Sequence, residues 1–242
     1  MTLHIDDEPA WILQHKPWRE SSLWLTIFTQ QQGRLNVLAK GARRPKSPWR
    51  GLLQPFTPLR LSCRGRTDLL TLTAAEKDHD RPAPKLQGNG VWLGYYLNEL
   101  LLRFLYPYDT SPTLFQLYQQ QLTALANAKN AADIENSLRF FEKHLLDESG
   151  YGLSLTPAMD VAKTTQKYTY YPGKGIFPYV SDNMPGIHIQ GSCLQSLQQG
   201  KPLSQECLPA AKQLLRRELA RHLGHKPLKS RLLFQKFQQP TL

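Results

Sequence analysis

The amino-acid sequence predicts an α+β chain: a small N-terminal β-barrel, then a mainly α-helical domain carrying a small β-hairpin. Three observations predict it. Short segments within residues 1–80 alternate with period two between Gly and Pro turns. From Val91 onward apolar residues recur with helical spacing. Lys167 to Val180 (KYTYYPGKGIFPYV) then sets two β-rich halves around a Pro-Gly-Lys-Gly turn.

The strand candidates are Ala10 to His15, Leu23 to Thr29, Arg34 to Lys40, Leu59 to Arg64 and Leu69 to Ala74. Leu35, Val37 and Ala39 alternate with Arg34, Asn36, Leu38 and Lys40, which places the first set inward and the second outward. Leu59, Leu61 and Cys63 alternate in the same way with Arg60, Ser62 and Arg64. Five short strands in this length point to an OB-fold first and an SH3-like barrel second. The usual OB helix between strands three and four has no counterpart, since Gly41 to Trp49 reads as a Pro-broken basic loop. Trp18, Trp24 and Phe56 sit in strand-like patterns that suit core packing.

Asp78 to Gly90 is a linker by composition, which divides the chain into residues 1–80 and 81–242. Val91 to Leu105 is apolar nearly all round and reads as a buried central helix. Leu114 to Ala126 forms a polar-faced helix. Ala132 to Glu148 carries Ile134, Leu138, Phe141 and Leu145 on one stripe, with Gly150 as its C′ residue. A β insertion is expected at about residues 160–190 around the hairpin. The last helix runs from Pro209 at N1 to Leu223, with Gly224 at its exit. Leu208, Leu215, Leu219 and His222 form its inner stripe; Arg216, Arg217 and Arg221 fall off it.

The formal net charge is +11. No Asp or Glu occurs between Ser21 and Thr67, a stretch that holds Arg34, Lys40, Arg43, Arg44, Lys46, Arg50, Arg60, Arg64 and Arg66. A second basic run includes Lys212, Arg216, Arg217, Arg221, Lys226, Lys229, Arg231 and Lys236, against Glu218 alone. Such bias works against the folded state by self-repulsion, and its use is to meet a polyanion. In the loop Gly41 to Arg50, Arg43, Arg44, Lys46 and Arg50 can contact phosphates and Trp49 can stack on a base. The alternative is a merely solvated basic loop. Arg34, Lys40, Arg60, Arg64 and Arg66 would extend the track over the barrel. Lys226, Lys229 and Arg231 would form a second DNA or partner surface, with Phe234 and Phe237 docking the tail.

The polar, acidic segment Met1 to Pro9 lacks the regions of a signal peptide, and no segment is long enough to span a bilayer. The three scattered cysteines suggest reduced thiols in a cytoplasmic protein. Cys193, Cys207, His222 and His225 lack the close pairing of a metal site, so no metal and no cofactor is expected. Gly173-Lys174-Gly175 is a turn without P-loop spacing, no G-x-S-x-G occurs, and no set of carboxylates suits a two-metal nuclease. The chain is not expected to be an enzyme.

Lys16 to Leu61 resembles the N-terminal domain of the RecO family of bacterial DNA-repair proteins, above all in Gly41-Ala42-Arg43-Arg44 and Leu53-Gln54-Pro55-Phe56. YYLNELLLRFL (Tyr95 to Leu105), LRFFEKHLLDESGYG (Leu138 to Gly152) and KPLKSRLLFQKF (Lys226 to Phe237) follow in the family's order. The resemblance implies an OB-fold, a helical second domain, and a recombination mediator that binds single- and double-stranded DNA and anneals complementary strands. It also implies partners: RecR, the acidic tip of single-stranded-DNA-binding protein (SSB), and RecA, which the family helps to load. A nucleoid-associated, cytoplasmic location goes with these roles. For the acidic tip, Arg139 is the first candidate and Arg103 the second; an intrahelical pair of Arg139 with Glu142 is the competing use. The sequence departs from the family where many members carry a four-cysteine zinc site. Ala158 and Val161 stand near the first cysteine pair, so the hairpin is expected to be a remnant of that site without cysteines, its tyrosines packing in place of the ion. An OB-type RNA- or ribosome-associated binding protein remains the rival function.

Overall fold

A computed structural model of the chain describes residues 2–153, 165–224 and 226–238. The elements run β1 (Leu3–Trp18), β2 (Ser22–Thr29), β3 (Gly33–Ala39), β4 (Leu59–Gly65), β5 (Leu69–Lys77), α1 (Asn89–Phe104), α2 (Pro112–Asn127) and α3 (Ala131–Glu148). They continue with β6 (Lys167–Tyr171), β7 (Gly175–Pro178), β8 (Ile187–Gln190), α4 (Gly191–Gln198), α5 (Cys207–Leu223) and α6 (Lys229–Gln238). By packing, β1 to β5 with α1, α2 and α6 form one compact unit, and α3 to α5 with β6 to β8 form a second.

The first unit contains a closed barrel of order β1-β2-β3-β5-β4, in which β3 and β5 run parallel and the other pairs are antiparallel. This is the OB-type arrangement. Bulges between Ile5 and Glu8 and between Ile12 and Gln14 bend β1, so its first part pairs with β4 and its second with β2. The predicted alternation of β3 holds: Leu35, Val37 and Ala39 join Ile12, Leu25, Ile27, Leu61 and Cys63 in the core, and Arg34, Asn36 and Leu38 point out. Burial pushes the Cys63 thiol up to about 12. Residues 41–57 form successive turns with no helix, as the prolines required.

Helices α1 and α2 lie on the outside of the barrel. Asn98 of α1 is buried; its amide donates to the Leu13 carbonyl (2.9 Å) and its oxygen accepts from the Tyr118 hydroxyl of α2. Trp11 meets Tyr118 edge to face (5.7 Å between centroids), and Phe28 meets Phe115 (5.4 Å). A Cβ at Gly94 would stand 2.8 Å from both Leu86 and Phe56, so glycine lets them approach α1. The tail, expected as a second DNA or partner surface with no element assigned to it, folds as α6. Glu99 anchors it, accepting from the Lys229 amide (2.9 Å), the Ser230 amide (2.8 Å) and the Ser230 hydroxyl (2.6 Å). Phe234 is half-buried, and the Phe237 side chain lies outside the described residues.

In the second unit, Asn130 caps α3 by accepting from the Asp133 amide (2.9 Å), and Gly150 follows the helix at φ 77°. Strand β6 is central between β7 and β8, and its Tyr168 and Tyr170 are buried. The expected hairpin thus gains a third strand. Ala158 and Val161 lie outside the described residues, as does His225. Helix α5 starts at Cys207, two residues before the expected Pro209 start, since a proline anywhere in the first turn removes an amide that needs no intrahelical partner. Its buried stripe is Ala211, Leu214, Leu215, Glu218 and Leu219; Leu208 and His222 lie at its margins.

One expectation is overturned outright. Cys193 and Cys207 are joined by a disulfide, not left as thiols. Folding of α4 against α5 brings their Cα atoms to 5.3 Å, within disulfide reach, a closeness that a separation of 14 residues does not announce. Cys63 is the free cysteine.

Candidate nucleic-acid interface

The strand registers fix which side chains share the barrel's outer surface. Across β1, β2 and β3 the outward rows are Trp11–Phe28–Arg34, Gln14–Thr26–Asn36 and Lys16–Trp24–Leu38. Trp18 pairs with Ser22 in the next row, which Lys40 extends just past β3. Helices α1 and α2 cover the first row, where Trp11 and Phe28 are fully buried. Arg34, expected on the DNA track, belongs to this covered end. Its Nη1 reaches the Leu102 carbonyl of α1 (3.5 Å), and burial lowers its pKa. At the other end Lys16 is exposed and Trp18 and Trp24 are half-buried. Trp18 and Trp24 are therefore outer-face residues, half-buried and outside the barrel core, contrary to the expectation of core packing.

The acid-free loop closes over that same end. The Arg43 amide donates to the Ser21 carbonyl (2.8 Å), Arg43 Nη1 to the Arg19 carbonyl (3.2 Å), and the Gly41 amide to Ser22 Oγ (3.4 Å). Ala42 and Leu53 enter the barrel core. Trp49 and Leu52, both half-buried, pack against it. Lys40, Arg43, Arg44, Lys46 and Arg50 are exposed. Arg50 Nη1 touches the Pro45 carbonyl (3.4 Å); among the described residues no carboxylate pairs with any of the five cations. Such unpaired guanidinium and ammonium groups suit phosphate oxygens, which accept the same charge-assisted bonds.

The other predicted positions divide. Arg64 and Arg66 are exposed at the end of β4 and its following turn, and Arg66 Nε touches Thr2 Oγ1 (3.3 Å). Arg60 is engaged elsewhere: it grips both carboxylate oxygens of Asp7 (2.7 and 2.6 Å), bonds the Asp7 carbonyl (2.6 Å) and lies 4.0 Å from Asp78. The Arg60 guanidinium in turn holds the Asp7 carboxyl below its ordinary pKa. In the second unit Arg216, Arg217 and Lys226 are exposed. On α6 Lys229 is exposed, whereas Arg231 is half-buried over the Tyr96 ring (5.9 Å).

Both candidates for an acidic tail already face carboxylates. Arg139 is 2% exposed and donates to Glu142 (2.9 Å), with Glu135 at 3.9 Å. Arg103 pairs with Glu99 (3.3 Å). The i, i+3 and i, i+4 spacings that produce these pairs are readable in the sequence. Sequence reasoning missed Lys16, Trp18 and Trp24 as surface residues; the signal was their common parity in the β1–β2 register. Among the described residues no helix is long and apolar enough to cross a membrane.

Comparison with known proteins agrees with this architecture. Residues 1–78 match the family model described as recombination protein O N terminal, and residues 88–232 match recombination protein O C terminal. A DNA repair protein RecO of Nitrosococcus oceani is 41% identical over 235 residues, covering 96% of this chain and 94% of the relative. One from Nitrosospira multiformis is 39% identical over 236 residues, 96% of each. One from Pasteurella multocida is 40% identical over 232 residues, 94% of each. With both family domains present in order, and relatives matched over nearly their whole length, the chain belongs to the RecO family of DNA repair proteins.

Proposed function

We propose that this chain is a non-enzymatic mediator of recombinational repair. It binds single- and double-stranded DNA and anneals complementary strands. It meets the acidic tail of SSB, and with RecR it helps load RecA onto coated strands. The observation that carries the DNA-binding core is the set Lys40, Arg43, Arg44, Lys46 and Arg50, exposed at one end of the barrel and unpaired with any described carboxylate. Cations on the barrel and along α5 neutralise phosphates and release counterions, which lowers the repulsion between two strands while their bases stay free to pair. The partner roles rest on family membership.

The test is annealing of complementary strands coated with SSB that is intact or lacks its acidic tail. Fast annealing that needs the tail is expected. Annealing indifferent to the tail removes the SSB contact and keeps the DNA activity. Failure to anneal even bare strands contradicts the proposal.

A further inference from the structure

We infer that Trp18 and Trp24 form a base-stacking platform for single-stranded DNA on the barrel's outer face, at the end bordered by the acid-free loop, an inference that rests on the DNA-binding role proposed above. The pair is built by register. Trp18 lies opposite Ser22 and Lys16 opposite Trp24, which makes the two tryptophans diagonal neighbours on adjacent strands. Their ring centroids are 5.1 Å apart with planes inclined at 53°. Both indoles are half-buried and neither belongs to the barrel core.

The pair therefore presents aromatic surface that the fold does not consume. At the other end of the same face, outward aromatics have a structural use: Trp11 and Phe28 sit fully buried under Tyr118 and Phe115. Trp18 and Trp24 instead meet each other, and Lys16 lies over the Trp24 ring.

Charge selects the occupant. The Lys16 ammonium lies 4.8 Å from the Trp24 ring centre, and exposed Lys40 extends the Trp18–Ser22 row. The Arg43 backbone and side chain are both bonded to the β1–β2 turn that follows Trp18. Glu20, on that turn, is the one acid of the stretch. Aromatic faces ringed by cations fit a strand whose bases are unpaired: the indoles take a base and the cations take its phosphates. A duplex keeps its bases stacked inside and gains nothing from the indoles.

The test compares a labelled oligo-dT with an abasic oligomer of equal length and charge, each titrated with the full-length protein. Stacking of one base predicts about 5- to 150-fold tighter binding of oligo-dT by the unaltered chain. Trp18→Ala and Trp24→Ala should each cut that preference several-fold while the salt dependence of binding stays as it was. Trp18→Phe and Trp24→Phe should keep most of it. Circular dichroism and melting confirm folding, and Trp18→Ala, at the end of β1, serves if Trp24→Ala disturbs β2. Undiminished preference in folded alanine variants overturns the platform, leaves DNA binding intact and points to a protein partner for the pair. Failure of the unaltered chain to bind either oligomer overturns the DNA role itself, and the platform with it.

Discussion

Asn98 determines how the helices sit on the barrel, and its replacement by leucine should be among the most damaging single changes in the first unit. The Asn98 amide is 1% exposed and bridges two elements, α2 through the Tyr118 hydroxyl and β1 through the Leu13 carbonyl. Leucine is nearly isosteric but can bond neither. The Leu13 carbonyl and the fully buried Tyr118 hydroxyl would each lose a partner, at about 1–3 kcal/mol apiece. Better transfer of the apolar side chain offsets part of this, so Asn98→Leu should cost about 3 kcal/mol. The assay is urea unfolding followed by tryptophan emission, since Trp11 meets Tyr118 edge to face. A double-mutant cycle with Tyr118→Phe isolates the bridge: once the hydroxyl is gone, Asn98→Leu should cost about 1 kcal/mol less. A cost below about 0.5 kcal/mol, or strict additivity with Tyr118→Phe, would refute the reasoning.

Further predictions concern the tail and the cysteines. Burial alone would raise the Glu99 pKa, but the Ser230 hydroxyl, the Ser230 and Lys229 amides and Arg103 outweigh it, and the pKa is lowered from 4.5. A depressed carboxylate stabilises the fold above its unfolded pKa and loses that contribution as pH falls through the folded value. Docking of α6 should therefore weaken below about pH 4.5, and Glu99→Gln should both cost about 1 kcal/mol at neutral pH and flatten that acid dependence. Hydrogen exchange along α6 is the readout, and an unaltered acid profile in Glu99→Gln would exclude the anchor. Thiol counting after unfolding without reductant should find one reactive cysteine, Cys63, and reduction should release Cys193 and Cys207. Three reactive thiols before reduction would rule out the bridge.

The sequence makes the barrel legible for a physical reason. Period-two alternation in Arg34 to Lys40 and Leu59 to Arg64 survives because the outward residues, Leu38 apart, are polar. It fails in β2, SLWLTIFT, because α1 and α2 bury the outward Phe28 as deeply as the core buries Ile27. Trp24 then looks like one more core residue. Arg60 misleads for a different reason: Asp7 is 53 residues away in sequence and reaches it through the bulged β1–β4 register. Glu99, which anchors α6, lies 130 residues before Lys229, so no local pattern in the tail reveals its helix start. The pairing of Arg139 with Glu142 was readable as a helical spacing, but only the packing shows that both are buried.

The central claim is that the barrel-end cations bind DNA phosphates, and the salt dependence of binding tests it most directly. The dissociation constant for a labelled single strand would be measured across a salt series for the unaltered chain, for Arg43→Ala/Arg44→Ala/Lys46→Ala, and for Arg60→Ala. Each lost phosphate contact removes about 0.7 from the slope of log affinity against log salt, so the triple variant should be flatter by about 2. Arg60→Ala should leave the slope unchanged, because Asp7 and Asp78 already balance that guanidinium. A folded triple variant with the slope of the unaltered chain would contradict the claim.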